Sequence, residues 1–344
     1  MKRGADILQE LEDLMVKESP ESQHLATGED PHRQDTDSTP VTATGRFPPL
    51  CKTTSEGYIW ISGIMAVQTD VSTITEDAER AMEVLKELLG IHGYHLSDAA
   101  MVHLYVRDLS NFVQINSVYC RYFQQNPPAR VCIQADLPSD TAIQLDCLAL
   151  RNSHGESCAS DEIATAPVHR HTMHVQGISH WAPANIGPYS QAVQIGGLIF
   201  SAGVIPLCPS TMRTVEGGIT PQCALSLRSL QRVLAAMHPG MSLSNVVSGV
   251  CYVTNGLHVD IAMRHWKKFV QTSEDDSCCS IECPMVSYVV VPHLPKGVLV
   301  EWHVVASVSS ESWQHSSQTV QGRVSSTELQ LCLDNGTSSG FVVC

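Results

Sequence analysis

The run Leu198-Ile199-Phe200-Ser201-Ala202-Gly203 and the earlier run Tyr58-Ile59-Trp60-Ile61-Ser62-Gly63 each end a strand-like stretch in the same way. After each run, the hydrophobic pattern predicts an amphipathic helix, a strand, a second amphipathic helix and two more strands. Leu137-Pro138 and Leu294-Pro295 precede the last strand of each copy. The chain therefore contains an internal repeat with the order β-β-α-β-α-β-β, written twice.

This order predicts an α+β fold in which each copy is a mixed sheet with two helices on one face. The other face of each sheet is then apolar and uncovered. We expect the two sheets to pack together through these faces, and we expect the protein to self-associate or to form an intramolecular equivalent of an oligomer.

At 344 residues the chain is long enough for two domains. We place the first domain at 47–150 and the second at 175–308. Residues 1–46 are predicted to be a short helix and a flexible linker, residues 151–174 a second linker, and residues 309–344 a disordered tail.

The net charge of −14 argues against binding to nucleic acid or to an anionic membrane, since both require clustered Lys and Arg. No stretch approaches the ~18 apolar residues of a spanning helix. The 13 cysteines show no disulfide framework, and no apolar signal segment opens the sequence. We therefore expect a protein of the reducing cytoplasm.

Two motifs resemble the Rid/YjgF family. Residues 185–193 (NIGPYSQAV), followed by residues 200–207 (FSAGVIPL), are similar to the opening of a Rid/YjgF domain. Pro128-Ala129-Arg130 followed by Leu137-Pro138 is similar to its close. The resemblance implies chorismate-mutase-like domains with ligand sites in the clefts between neighbouring domains.

The pair of diverged copies, over roughly residues 48–308, resembles more narrowly the C-terminal region of eukaryotic diphthine–ammonia ligases. That resemblance implies the ATP-dependent amidation of diphthine on elongation factor 2, the last step of diphthamide formation. The family's ATP-binding module has a Gly-rich phosphate loop, and this sequence contains no such loop, so we expect no cofactor in this chain. We expect a shortened form, a partial version or a separately encoded accessory half of the enzyme. Elongation factor 2 or a separate ATP-binding module is then the expected partner.

Rid deaminases use an Arg that grips a carboxylate and a Glu that positions water, and neither copy holds both. Aligned through Leu-Pro, the Arg position is Arg130 in the first copy and Val286 in the second. The Glu position is Gln144 in the first copy and Glu301 in the second. Deaminase activity of either copy alone is therefore disfavoured, but a composite site with Arg130 facing Tyr189 of the other copy is possible.

Each of these ligand-binding residues has a plainer alternative. Arg130 either binds a carboxylate or pairs with an acid at the domain contact. Glu301 points either to a cleft or to solvent, with solvent favoured, and Tyr189 either covers a ligand or is an amphipathic contact residue. The sequence assigns no residue a catalytic role.

Two clusters contain residue types that bind metals or carry redox chemistry, but we interpret the histidines as part of a polar linker and the cysteines as part of an acidic surface loop. The first comprises four histidines of a polar linker, and the second comprises three cysteines of an acidic loop that disfavours thiolates; they are His169, His171, His174, His180, Cys278, Cys279 and Cys283. We expect no metal site. Three functions remain open: an accessory or ammonia-delivering module of diphthamide synthesis, an imine/enamine deaminase, or a regulator that binds a small carboxylate.

Overall fold

The computed structural model describes most of both predicted domains and parts of the segment that follows them. The described residues are 48–54, 56–69, 72–151, 170–270, 285–308, 313–320, 324–332 and 338–343. The short helix and the linker predicted for residues 1–46, and the cysteine cluster, lie outside these residues.

The first domain is a five-stranded mixed sheet covered on one face by two helices. The sheet order is β1-β2-β5-β3-β4, with β4 parallel to β3 and the other neighbours antiparallel. Its elements are β1 Leu50–Thr53, β2 Tyr58–Val67, α1 Ile74–Ile91, β3 Ala99–Val106, α2 Phe112–Tyr122, β4 Ala129–Gln134 and β5 Thr141–Leu150.

Helix α1 begins where the sequence supplies a capping box. The Thr73 side chain accepts a hydrogen bond from the backbone N–H of Glu76, and the Glu76 carboxylate accepts one from the backbone N–H of Thr73. The helix buries Met82, Leu85 and Leu89 against the sheet. Helical spacing of apolar residues thus determines which face of the helix packs against the sheet.

The second domain repeats this architecture with one more strand. Its sheet order is β10-β9-β11-β8-β7-β6. Its elements are β6 Arg170–Met173, β7 Ala192–Ile195, β8 Leu198–Ser201, α3 Ile219–Met237, β9 Val246–Val253, α4 Val259–Val270, β10 Met285–Val290 and β11 Val300–Ser307. Strand β6 lies inside the stretch 151–174, where the sequence predicts only a linker.

Strand register confirms the alignment of the two copies. Arg130 lies opposite Val102, the fourth residue of β3, and Val286 lies opposite Gly249, the fourth residue of β9. In the same way, Gln144 and Glu301 lie opposite the seventh residues of β3 and β9. The α+β fold of two tandem domains with equivalent sheets is therefore as predicted.

The helix-free faces of the two sheets pack against each other, as predicted. Side chains of the first domain such as Tyr105, Val131 and Leu148 join the apolar core of the second domain. Arg170 of β6 adds polar contacts between the domains. Its guanidinium donates to the backbone oxygens of Ser97 at 3.1 Å, Ala99 at 2.6 Å and Asn126 at 3.0 Å. Burial lowers the pKa of Arg170 to about 10, which is still well above 7, so the guanidinium is charged at neutral pH.

The segment predicted as a disordered tail contains three strands, β12 Trp313–Val320, β13 Val324–Cys332 and β14 Ser338–Val343. They form an antiparallel sheet of their own in the order β12-β13-β14. Across the described part of the chain, no helix has the length and apolar character that crossing a membrane requires.

Candidate functional site

Arg130 is the largest charged side chain buried between the domains. It has no solvent-exposed surface, and its Nη1 donates to Asn116 Oδ1 at 2.8 Å. Its guanidinium carbon lies 5.5 Å from the ring centroid of Phe112, 4.7 Å from that of Tyr119 and 5.3 Å from that of Tyr189. Cation–π attraction to three rings therefore offsets part of the cost of burying the charge.

The guanidinium has one edge without a partner. Among the described residues, Arg130 Nε and Nη2 are both buried and make no hydrogen bond. These two atoms form the edge with which an arginine binds both oxygens of a carboxylate. The alternative that Arg130 pairs with an acid is not what the described residues show, since no ion pair there includes it. The two N–H groups of this edge have the donor pattern that matches the two oxygens of a carboxylate.

The second domain supplies the opposite wall through residues 185–191. Asn185 Nδ2 donates to the backbone oxygens of Gly187 at 2.8 Å and Tyr189 at 3.0 Å, and Tyr189 Oη accepts from the Ile186 N–H at 3.2 Å. These bonds fold the segment so that the Tyr189 ring faces Arg130. The predicted Arg130–Tyr189 pair is thus brought together across the domain contact.

Gly187 explains why the motif needs a glycine. A Cβ at this position would lie 2.6 Å from Arg130 Nη2 and 3.3 Å from the side-chain amide of Asn116. The backbone of the second domain therefore approaches the guanidinium at a distance that only glycine permits.

Three hydrogen bonds, two between backbone groups and one from a hydroxyl, join the two domains beside the guanidinium. The Ser190 N–H donates to Pro128 O at 3.1 Å, and the Ser190 hydroxyl donates to Pro127 O at 2.6 Å. On the other side, the Gly203 N–H donates to Arg130 O at 3.2 Å. The outer edge of β4 is therefore covered by the second domain, and the site is rigidly framed.

Glu301 is completely buried, so the favoured interpretation that it points to solvent is wrong. Side chains alternate along β11, so Glu301 and His303 lie on one face of the sheet and Trp302 lies on the other. His303 contacts His103 of the first domain, so Glu301 lies on the face that packs against that domain. Burial occurs because the second sheet is covered on both faces. Trp302 also pairs with Val204, the residue after Gly203, so the strands of Arg130 and Glu301 meet at one two-residue segment.

A polar layer lies between the two sheets. His103 of the first domain and His303 of the second meet edge to face, with ring centroids 5.5 Å apart. Burial lowers the pKa of both, that of His103 to well below its ordinary value and that of His303 to about 4, so both are neutral at pH 7. Asp146 and Gln144 are buried on the same face of β5.

Comparison with known proteins identifies the family. A model of the family described as Endoribonuclease L-PSP matches residues 39–151 and 179–308, and these ranges contain both repeats. The chain belongs to the Endoribonuclease L-PSP family. This is the Rid/YjgF family that its sequence motifs resemble.

Two diphthine–ammonia ligases are similar over both Endoribonuclease L-PSP domains. That of Schizosaccharomyces pombe is 30% identical over 285 residues, 81% of this chain and 43% of its own length. That of Saccharomyces cerevisiae is 24% identical over 261 residues, 71% of this chain and 36% of its own length. The chain thus spans less than half the length of these relatives.

A solved chorismatase shares the two-domain fold, with a TM-score of 0.54 and 15% identity over 75% of this chain and 80% of that one. At this identity the likeness shows the fold alone.

The histidine-rich stretch of this Endoribonuclease L-PSP protein takes part in the fold where it is described. Half-buried His174 shares a 2.8 Å hydrogen bond between its Nε2 and Asn185 Nδ2, and desolvation lowers its pKa. His171 lies in β6, and His169 lies outside the described residues. No group of three potential metal ligands occurs in the part of the chain that the structure covers.

Sequence reasoning missed Asn116, Gly187 and Arg170. Asn116 is the fifth residue of α2, and it accepts a hydrogen bond from Arg130 only because the fold places it beside β4. The motif around Gly187 was recognised, but the 2.6 Å approach to Arg130 depends on the docking of two domains. No local pattern in the sequence marks such contacts.

Proposed function

We propose that this chain is the Rid-type part of a diphthine–ammonia ligase system, in which it acts as an accessory module and binds a small carboxylate at Arg130. The observation that carries the proposal is the similarity to two diphthine–ammonia ligases over both domains. The ATP-using step is assigned to a separate module, since this sequence has no Gly-rich phosphate loop. Elongation factor 2 and that module are the proposed partners, in the cytoplasm.

The binding half of the proposal rests on the unpaired edge of Arg130. A charge-assisted hydrogen bond contributes about 1.5–3 kcal/mol, so its loss corresponds to roughly tenfold weaker binding or more. Calorimetry with 2-oxobutanoate tests this on the wild type, on Arg130→Ala and on Arg121→Ala. Arg121 is the matched control, because it lies on the exposed side of α2 and pairs with Glu79 at 3.0 Å. Equal affinity of all three proteins would refute the Arg130 site.

The accessory role is tested by a chimaera. The matching region of the Saccharomyces cerevisiae ligase is replaced by this chain, and the elongation factor 2 of a ligase-deletion strain is analysed by mass spectrometry. We expect amidated diphthine with the wild-type chimaera and less of it with Arg130→Ala. A folded, expressed wild-type chimaera that leaves diphthine unamidated would refute the role. Equilibrium dialysis of the chain alone should show only background ATP binding.

One observation favours deaminase chemistry as a second function. Backbone hydrogen bonds of Gly203 and Val204 connect the strand of Arg130 to the strand of buried Glu301, and Arg130 and Glu301 are each the one family position that its own domain keeps. In such a site Arg130 would hold the carboxylate of an imino acid, and Glu301 would take a proton from the water that attacks the C=N carbon and return it to the nitrogen, so that the C–N bond breaks, ammonia leaves and a 2-oxo acid remains. Ammonia release from freshly generated imine, lost in Glu301→Gln, is the expected signature.

A further inference from the structure

The helices of the second domain have a charge opposite to that of the chain. Helices α3 and α4 lie side by side on the face of the second sheet that is turned away from the first domain. Together they contain one acidic residue, Asp260, and five exposed cationic residues, which we call the cationic helix layer. The five are Arg228, Arg232, Arg264, Lys267 and Lys268. The net charge of the whole chain is −14, so this layer is a local exception.

The equivalent helices of the first domain have the reverse balance. Helices α1 and α2 carry five acidic and three cationic residues. These charges are paired within the two helices, since Arg121 lies 3.0 Å from Glu79 and Lys86 lies 3.0 Å from Glu83. The first domain thus neutralises its helix surface with its own side chains, whereas α3 and α4 contain too few acids to do the same.

Two positions show a direct reversal of charge. The buried apolar residues of α1 and α3 align at a constant separation along the chain, with Met82 matching Leu227, Leu85 matching Leu230 and Leu89 matching Leu234. At the same separation, Glu83 and Glu87 of α1 correspond to Arg228 and Arg232 of α3. The cations of α3 therefore occupy positions that are acidic in the first domain.

The cationic helix layer places like charges beside each other. Residues four apart on a helix are neighbours, so Arg228 adjoins Arg232, and Arg264 adjoins Lys268. Desolvation, together with the charges of Lys268 and Arg264, lowers the pKa of His265, which shows that both cations lie close to this ring. Neighbouring like charges destabilise a helix, so the pattern does not serve the stability of the isolated chain.

We propose that the cationic helix layer is a docking surface for an acidic segment of a partner protein. Carboxylates of the partner relieve the repulsion between neighbouring cations and form charge-assisted hydrogen bonds with the guanidinium groups. The layer lies on the opposite face of the second sheet from the contact that holds Arg130. The proposal therefore does not depend on the function proposed for the Arg130 site.

Two observations favour a protein partner over a nucleic acid. The large apolar side chains that are exposed in the described part of the chain are all aliphatic, so this part offers no aromatic platform on which bases stack. A long polyanion would also extend beyond the layer and meet the remainder of a chain whose net charge is −14. A short acidic segment covers the five cations alone.

The test is the binding of a fluorescent octaglutamate peptide to the full chain, measured by fluorescence anisotropy. The wild type should bind the peptide saturably at low ionic strength, and the affinity should fall as salt is added, because salt screens exposed charges. Arg228→Glu combined with Lys268→Glu should weaken binding about tenfold or more. The matched control is Lys86→Glu combined with Arg121→Glu, which changes the net charge equally at exposed positions of the first domain. The control should bind as the wild type does.

Thermal stability separates a docking residue from one that supports the fold. Arg228→Glu should raise the melting temperature of the isolated chain, because Arg232 then adjoins an opposite charge four residues away. The peptide should raise the melting temperature of the wild type more than that of the variant with both Arg228→Glu and Lys268→Glu. A lower melting temperature of Arg228→Glu alone would show that Arg228 supports the fold, and it would overturn the proposal.

Three binding results would also contradict the proposal. A wild type that does not bind octaglutamate would show that the layer does not accept an acidic segment. Equal weakening in both double variants would show that only the net charge of the chain matters. Tighter binding of oligouridylate RNA of equal charge, or of phosphatidylserine vesicles, would assign the layer to a nucleic acid or to a membrane instead.

Discussion

Three equivalent positions of the two domains carry different side chains. They are mainly polar in the first domain and apolar in the second. In the first domain, Arg130 of β4 lies against Asn116 and Tyr119, the fifth and eighth residues of α2. In the second domain, the residues at these positions are Val286, Met263 and Trp266. The three positions have changed together.

The second domain fills the space with an aromatic stack. Trp266 and Trp302 lie nearly parallel, 18° apart, with ring centroids separated by 5.6 Å, and Tyr288 contacts the edge of Trp302. The difference shows that the buried arginine of this chain lies where the second domain covers it, through Gly187 and Tyr189. Val286, at the equivalent position of the second domain, is partly buried and packs against the apolar core.

The largest effect is expected from breaking the aromatic stack. Trp302 is completely buried, so Trp302→Ala should lower the free energy of unfolding by about 3–5 kcal/mol. Chemical denaturation monitored by circular dichroism measures the change. Carboxylate affinity at Arg130 should be unchanged under conditions where the variant is folded, and a parallel loss of affinity would contradict the separation of the two regions.

Acid should weaken the contact between the domains. The pKa of His303 falls from an ordinary 6.5 to about 4 in the folded protein, because burial disfavours the charged ring. The neutral form is therefore favoured by folding, so this stability is present above pH 6.5 and is lost as the pH falls towards 4. The loss is roughly 3 kcal/mol.

Denaturation curves between pH 7.5 and pH 4 test this acid effect, with His303→Gln as the variant. We expect a shallower pH dependence in His303→Gln, whereas His171→Gln, at an exposed position of β6, should behave as the wild type. Identical slopes in all three proteins would show that the pair between the sheets does not govern acid stability.

A smaller effect is expected from Gly187→Ala, which adds a methyl group 2.6 Å from Arg130 Nη2. Either the guanidinium or the segment of the second domain must move, so 2-oxobutanoate binding should weaken about tenfold, or about 1.4 kcal/mol. Gly197→Ala is the control, because nothing lies within 4 Å of its added carbon. Calorimetry of both variants decides, and equal affinity would place the ligand elsewhere.

The smallest change in stability is expected from giving the first domain the residues of the second. Arg130→Val combined with Asn116→Met removes a buried charge and its partner together, and such exchanges are often neutral or stabilising. We expect the free energy of unfolding to change by less than about 1 kcal/mol, while carboxylate binding is abolished. Loss of folding would show that Arg130 is structural.

The fold was accessible from sequence because its signals are periodic. Helical spacing in α1 and the Leu-Pro pairs fixed the element order and the equivalence of Arg130 with Val286. Strand β6 was missed because four residues, Arg-His-Thr-Met, show no apolar alternation. The burial of Glu301 was missed because alternation assigns a residue to a face of the sheet but does not reveal that both faces are covered.

The covalent link between the domains has a consequence for dilute conditions. The hydrogen bond from the Gly203 N–H to Arg130 O joins residues of one polypeptide, so its formation does not depend on the encounter of two molecules. A cleft formed by separate subunits is lost when the subunits dissociate at low protein concentration. Here the wall formed by Tyr189 has a fixed local concentration near Arg130, and ligand affinity should be the same at any expression level.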